Sequence, residues 1–289
     1  MRLYATDQGV AREHQEGVLQ VLDLPYTDIG DLLRGPGLDA ARKARVISEV
    51  KMEEAHLRPV LRRPGKILAV GLNYPSHADE ALEKFAAVGR TDVELPSEPN
   101  VQVVAGSAAT SHGQPILLPP VASTHVDYEG ELGLIIGCAA SKVSENDAWR
   151  YVSGLTIIND VSARDIQRRA YAGDPNASIS VAKSFDTFKP IGPCLVTADE
   201  FSENVNLRLQ TRVNGELRQD DHTGNFLYPI SALIAYLSQF QTLEAGDVIA
   251  TGSPRGAGQF AETFLRDGDL VEVEIEKIGV LRNRVAAAP

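Results

Sequence analysis

Cysteine is nearly absent: only Cys138 and Cys194 occur in 289 residues. A disulfide framework or a cysteine metal site needs more thiols at closer spacing, so two packed thiols are expected. Positive charge is also scarce. Lys and Arg number 28 against 39 Asp and Glu, a formal net charge of -11, which excludes the sequence-independent nucleic-acid binding that cations provide by displacing phosphate counterions. An anionic small molecule stays possible, because local cations and a metal ion can outweigh a distant field. No apolar run approaches the about 18 to 20 residues of a membrane-spanning helix, and Met1 to Asp7 lacks the apolar core of a secretory signal, so a cytoplasmic protein without membrane contact is expected. The six histidines show no H-x-x-x-H spacing, which disfavours zinc. A Gly-x-Ser-x-Gly elbow is missing, and with it support for a serine hydrolase. Gly252-Ser253-Pro254-Arg255-Gly256-Ala257-Gly258 lacks the G-x-G-x-x-G order of a dinucleotide site and reads as a tight turn.

What is present is the balance of an ordinary globular protein, 43% apolar and 23% charged. Residues 1–60 set themselves apart as a small N-terminal domain, with short alternating stretches followed by a charged segment from Gly37 to Glu54 that reads as helix with Asp39 as N-cap. Arg62-Arg63-Pro64-Gly65 then punctuates the chain, and 61–289 forms the main domain. There strands dominate: 66–71, 101–105, 130–136, 154–158, 194–196 and 247–250 are short, branched and bounded by Gly, Pro or Asp. Residues 207–213 alternate into Asn214-Gly215, a dipeptide suited to a hairpin turn because both residues tolerate positive φ. A further alternating strand covers 269–276, and the clearest helix covers 230–240. The expected class is β-rich α+β.

The most informative segment is Asp127-Tyr128-Glu129-Gly130-Glu131-Leu132. On a strand, residues two apart share a face, so Asp127, Glu129 and Glu131 line one side and Leu132, Leu134 and Ile136 the other. Adjacent carboxylates in an interior demand a cation, and all-oxygen ligation selects a hard ion such as Mg²⁺, Mn²⁺ or Ca²⁺. On a solvated edge the same pattern needs no ion. The near-continuous apolar run Gly154 to Asn159 ends in Asp160, placed as a third oxygen ligand at the edge of the core. Ser162 then reads as the cap of a helix with Asp165 in a capping box, and Arg164 and Gln167, three apart, share a face near the acids. Asn73 to Glu80 reads as a second helix start, capped by Ser76 and answered by Asp79; His77 and Glu80 share a face, the geometry of a general-base dyad. A solvent-exposed pair would look the same in sequence.

Six ordered segments between Lys66 and Val285 resemble the fumarylacetoacetate hydrolase family: Gly71-Leu72-Asn73-Tyr74 with His77 and Glu80; Asp127 to Leu132; Asn159 to Asp165; Lys183-Ser184-Phe185-Asp186-Thr187-Phe188; Val213-Asn214-Gly215; and Thr251-Gly252-Ser253-Pro254. The resemblance implies a mixed β-sandwich roll with a small N-terminal domain, and a homodimer. It implies that Glu129, Glu131 and Asp160 bind Mg²⁺ or Mn²⁺, that His77 with Glu80 activates a water, and that Lys183, Arg164, Gln167 and Thr251 contact the substrate or a developing oxyanion.

The activity so implied is C–C bond hydrolysis of a small 2,4-dioxo acid, such as an acylpyruvate, in catabolism. The same platform serves isomerases, tautomerases and decarboxylases that pass through a metal-bound enolate, and a non-catalytic carboxylate-binding homologue is a further alternative; the presence of both His77 and Glu80 favours hydrolysis. Three departures bear on the substrate. The stretch Asn100 to Ser107 lacks the aromatic residue and lysine that the family commonly has there, Ser178 to Ala182 lacks its glycine and tryptophan, and Arg255 stands where a small residue is usual. Arg255 is therefore expected to lend the pocket a cation.

Overall fold

The computed structural model describes every residue except Val88 and Ser123. Two sheets face each other. The larger has 11 strands and begins with Val46–Lys51, Val18–Leu22, Gly9–Gln15 and Arg2–Thr6. It continues through Lys189–Thr197, Val152–Asn159, Gly130–Ile136, Val248–Ala250, Ile67–Gly71 and Asn100–Val104, while Ala109–Ser111 pairs parallel with Lys189–Thr197. The smaller has five strands in the order Glu216–His222, Arg208–Val213, Leu270–Ile275, Gly279–Ala287 and Ile116–Leu118. Antiparallel and parallel pairs occur in both. This is the β-rich α+β class that the strand pattern predicts, in the sandwich arrangement that the family resemblance implies.

Side-chain alternation decides what fills the space between the sheets. Leu132, Leu134, Ile136, Leu155 and Ile157 of the large sheet meet Leu209, Val273, Ile275 and Leu281 of the small one in a single cluster, joined by Leu233, Ile234 and Leu237 of the helix Ile230–Phe240. Ile135 and Ile158 point the opposite way, into a second cluster with Leu3, Val10, Ile29 and Leu32 of the N-terminal segment. The residues of one parity therefore make the sandwich core. Glu131 and Asp160 belong to the other parity, in step with Ile135 and Ile158. The N-terminal strands extend the large sheet through the pairing of Arg2 and Leu3 with Val196 and Leu195.

The hairpin at Asn214-Gly215 forms as its sequence dictates, with φ of 53° and 81° and Val213 paired with Glu216. The 37–54 segment differs from expectation. Helix covers only Leu38–Lys43, and Val46–Lys51 is a strand on Val18–Leu22, followed by a 3-10 turn at Met52–Glu54. Its branched Val46, Ile47 and Val50 suit a pleated surface, and the open edge of Val18–Leu22 supplies the partner. Gly37, at φ 75°, occupies the N-cap position, and Asp39 lies inside the first turn. The two serine hydroxyls expected as caps take other partners. Ser162 Oγ donates to Asp160 O at 3.1 Å, while Ser76 lies within the helix Pro75–Ala87 and donates to Asp221 Oδ2 at 2.6 Å. The cysteines form no disulfide; Cys194 is buried and Cys138 exposed.

Candidate active site

The acids are brought together by strand register. Gly130 pairs with Asn159 and Glu131 with Ile158, and Asp160 N donates to Glu129 O at 2.8 Å, which carries the ladder one step past the strand ends. Glu129 thus lies opposite Asp160 and two residues from Glu131 on the same face. A carboxylate oxygen from each lies within 4.8 Å of the others, and all three residues are buried. Asp127 leaves this group: Tyr128 and Glu129 are not in strand conformation, and Asp127 accepts the Gly258 and Gln259 main-chain N–H groups at 2.7 and 3.0 Å and Arg164 Nε at 2.8 Å.

Three buried cations surround the acids. Arg164 donates to Asp127 and Glu129 at 2.8 Å each and to Gln167 Oε1 at 2.5 Å. Lys183 Nζ donates to Glu129 Oε2 at 2.9 Å and closely to Asp160 Oδ2. Lys189 Nζ lies 2.9 Å from Asp160 Oδ1 and donates to the carbonyls of Val161 and Phe188 at 2.8 and 3.0 Å. Burial would raise the Glu129 carboxyl, but Arg164 and Lys183 outweigh it and hold the group well below the usual range. At Glu131 burial and the charges of Asp160 and Glu129 outweigh Lys183 and the Gly252 N–H, and push the carboxyl well above its ordinary value. Burial lowers Lys189 to about 8, while it is overcome at Lys183 by Asp160 and Glu129, which raise that ammonium.

A hard divalent ion fits this donor set. Three buried carboxylates converge, and Glu131 accepts a neutral donor, Gly252 N at 2.7 Å. Oxygen-only ligation of this kind suits Mg²⁺ or Mn²⁺. Gly252 reaches Glu131 because its φ is +99° and a Cβ there would lie 2.7 Å from Asn73 Cβ, a position that only glycine fills without strain.

The acids open into a cavity of about 570 Å³ whose lining includes His77, Arg164, Gln167, Lys183, Asn100 and Gln102. His77, from the helix Pro75–Ala87, is buried with Nδ1 unpartnered and stacks edge-on against Phe260 at 5.4 Å. Its Nδ1 is 3.7 Å from Glu80 Oε2, longer than a hydrogen bond. Glu80 Oε2 instead accepts Gly256 N at 3.1 Å. Thr251 faces inward and donates to Leu132 O at 2.9 Å. Arg255 does not line the cavity; its exposed side chain pairs with Glu83 at 2.7 Å and lies 3.8 Å from Glu80.

Two parts of the site were not anticipated from the sequence. Lys189 was the more visible, as the charged member of the apolar run Phe188 to Leu195. The other is the 252–259 loop, whose main-chain N–H groups hold Glu131, Glu80 and Asp127. Main-chain donors leave no residue-type signal beyond the glycines.

Sheet order, acid triad and cavity together make a β-sandwich with a buried carboxylate site beside a lysine-lined hollow. The family model described as fumarylacetoacetate (FAA) hydrolase C-terminal matches residues 66–286, and the chain belongs to the fumarylacetoacetate hydrolase family. It is 37% identical over 268 residues to oxaloacetate tautomerase Fahd2a, mitochondrial, of Rattus norvegicus, covering 91% of this chain and 80% of that one. It is 36% identical over 241 residues to oxaloacetate tautomerase YisK of Bacillus subtilis, covering 83% and 74%. The structure of maleylpyruvate hydrolase from Sphingobium sp. SYK-6 in complex with manganese(II) and pyruvate matches with a TM-score of 0.78 and 26% identity over all of both chains.

Proposed function

We propose that the protein is a divalent-metal-dependent tautomerase that interconverts the keto and enol forms of a 2-oxo acid of the oxaloacetate type. This replaces C–C hydrolysis, the reading that the His77 and Glu80 pair favours in sequence. One observation carries the proposal: His77 lines the cavity with its buried Nδ1 unpartnered, while Glu80 is engaged by Gly256. The pair is thus disposed as a single nitrogen base rather than as a coupled dyad. Similarity to two oxaloacetate tautomerases supports the same reading.

Glu129, Glu131 and Asp160 would hold the ion, which when bound supplies Lewis-acid polarisation of the 2-oxo group and its carboxylate. The rest falls to side chains. The His77 imidazole takes the proton from C3 of the keto form, the 2-oxo oxygen gains one from solvent to complete the enol, and both transfers run backwards in ketonisation, as general-base chemistry requires of a group within reach of the reacting carbon. Lys183, kept charged by its carboxylate neighbours, offers hydrogen bonds to the oxygen on which negative charge develops. Arg164, fixed by Asp127, Glu129 and Gln167, braces the acids, and Phe260 closes the space beside the imidazole.

The test follows ketonisation of enol-oxaloacetate with Mg²⁺ or Mn²⁺ beside release of pyruvate from an acylpyruvate. Tautomerisation well above the spontaneous rate, with little pyruvate release, is the expected result. Faster acylpyruvate cleavage than tautomerisation would restore the hydrolase reading, which the likeness to maleylpyruvate hydrolase also supports.

A further inference from the structure

A second hollow, of about 670 Å³, lies where the N-terminal strand and the segment after the Met52–Glu54 turn meet the final hairpin, and it shares no lining residue with the acid-triad cavity. Its charged lining is unlike the protein as a whole. Arg2, Arg58 and Arg282 face a single carboxylate, Asp7, in a chain of net charge -11, while Glu13 and Glu272 pair with Arg2 and Arg282 from outside the lining.

Two of the arginines are held in place from outside the hollow. Arg2 donates to Lys277 O at 2.7 Å and lies 3.5 Å from Glu13, and Arg282 Nε donates to Glu272 at 2.7 Å. Each keeps further N–H donors, since a guanidinium has five. Arg58 is tied by its main-chain N–H to Ala5 O at 2.8 Å, and among the described residues its guanidinium has no ion-pair partner. His112 adds a neutral donor. Burial and Arg282 hold its ring below the usual histidine range, and Nδ1 accepts the Arg282 main-chain N–H at 3.2 Å, so the proton resides on Nε2. The floor is apolar, formed by Tyr4, Leu57, Pro193 and Ile278.

We infer that this hollow is a second ligand site, for a small dianionic oxyanion such as phosphate or the phosphate group of an ester. Arginine forks match the paired oxygens of such groups, and the Arg58 guanidinium, without an ion-pair partner among the described residues, offers its whole fork. The concave shape and apolar floor favour a small molecule over a protein surface. The hollow is joined to the acid triad by one strand: Lys189–Thr197 places Pro193 in the hollow and Lys189 beside Asp160, about 13 Å apart along an extended chain.

The experiment titrates the Mg²⁺-loaded full chain with inorganic phosphate by calorimetry, at a pH where phosphate is dianionic, against chloride at matched ionic strength and again with oxalate filling the acid-triad cavity. Saturable phosphate binding is expected that chloride does not reproduce and oxalate does not displace. It weakens about tenfold or more in Arg58→Ala and further in Arg58→Ala/Arg282→Ala, while Arg150→Ala, an exposed arginine elsewhere, binds like the parent. Arg58→Ala removes no side-chain pairing within the described residues, so circular dichroism should show an unchanged fold. Phosphate behaving as chloride does, displacement by oxalate, or parental binding in both variants overturns the assignment.

Discussion

Lys189 Nζ lies 2.9 Å from Asp160 Oδ1, and both residues are almost wholly removed from solvent. Removing one member of a buried pair leaves the other charge uncompensated, at a typical cost of about 3 to 5 kcal/mol. Lys189→Ala should lose stability in that range. Lys189→Met, which keeps most of the volume, should lose less, because it leaves no cavity. Urea unfolding of the three proteins measures both effects, and an alanine variant as stable as the parent would show that this ammonium is dispensable.

Asp160→Asn keeps shape and removes one ligand charge from the triad. Calorimetry with Mn²⁺ should show affinity reduced by at least about tenfold with a native circular dichroism spectrum, and ketonisation should fall in parallel. Parental Mn²⁺ affinity would remove Asp160 from the ligand set.

The separation of His77 from Glu80 predicts unequal variants. His77→Ala should lower ketonisation by about 10² to 10⁴, the usual worth of a positioned base. Glu80→Gln should lower it by less than about tenfold, since the carboxylate is engaged by Gly256 N. Equal, large and non-additive losses would instead mark the two as one catalytic unit.

Gly252→Ala should destabilise the protein by about 1 to 3 kcal/mol, the range for a side chain forced into an unfavourable backbone region, because φ is +99° and Asn73 Cβ blocks the space. Thermal unfolding reads the stability, and Mn²⁺ affinity should fall as well if the Gly252 N–H is drawn away from Glu131.

Much of this was legible before any coordinates. The carboxylates of Glu129 and Glu131 follow from a period of two, and Asp160 from its place at the tip of an apolar run. The hairpin at Asn214 follows from backbone preference alone. What escaped was decided by partners distant in sequence. Ser76 has the composition of a cap but is claimed by Asp221, and Val46–Lys51 became a strand because an edge was waiting for it. Arg255 was expected in the pocket, yet Glu83, far from it in the chain, turns it outward. A local pattern cannot show such competitors.

The 252–259 loop grips three carboxylates, Glu80 of the Pro75–Ala87 helix and Asp127 and Glu131 of one stretch, with main-chain N–H groups alone. Tethers of this kind survive exchange of most side chains, so the loop is a place where residues can drift without dismantling the site. A saturation scan should be quiet at Arg255 and intolerant at Gly256 and Gly258, where an added Cβ would meet Arg218 O at 2.0 Å and Thr263 O at 2.2 Å. Selection for new substrates thus has a variable rim to work on, mounted on an invariant frame.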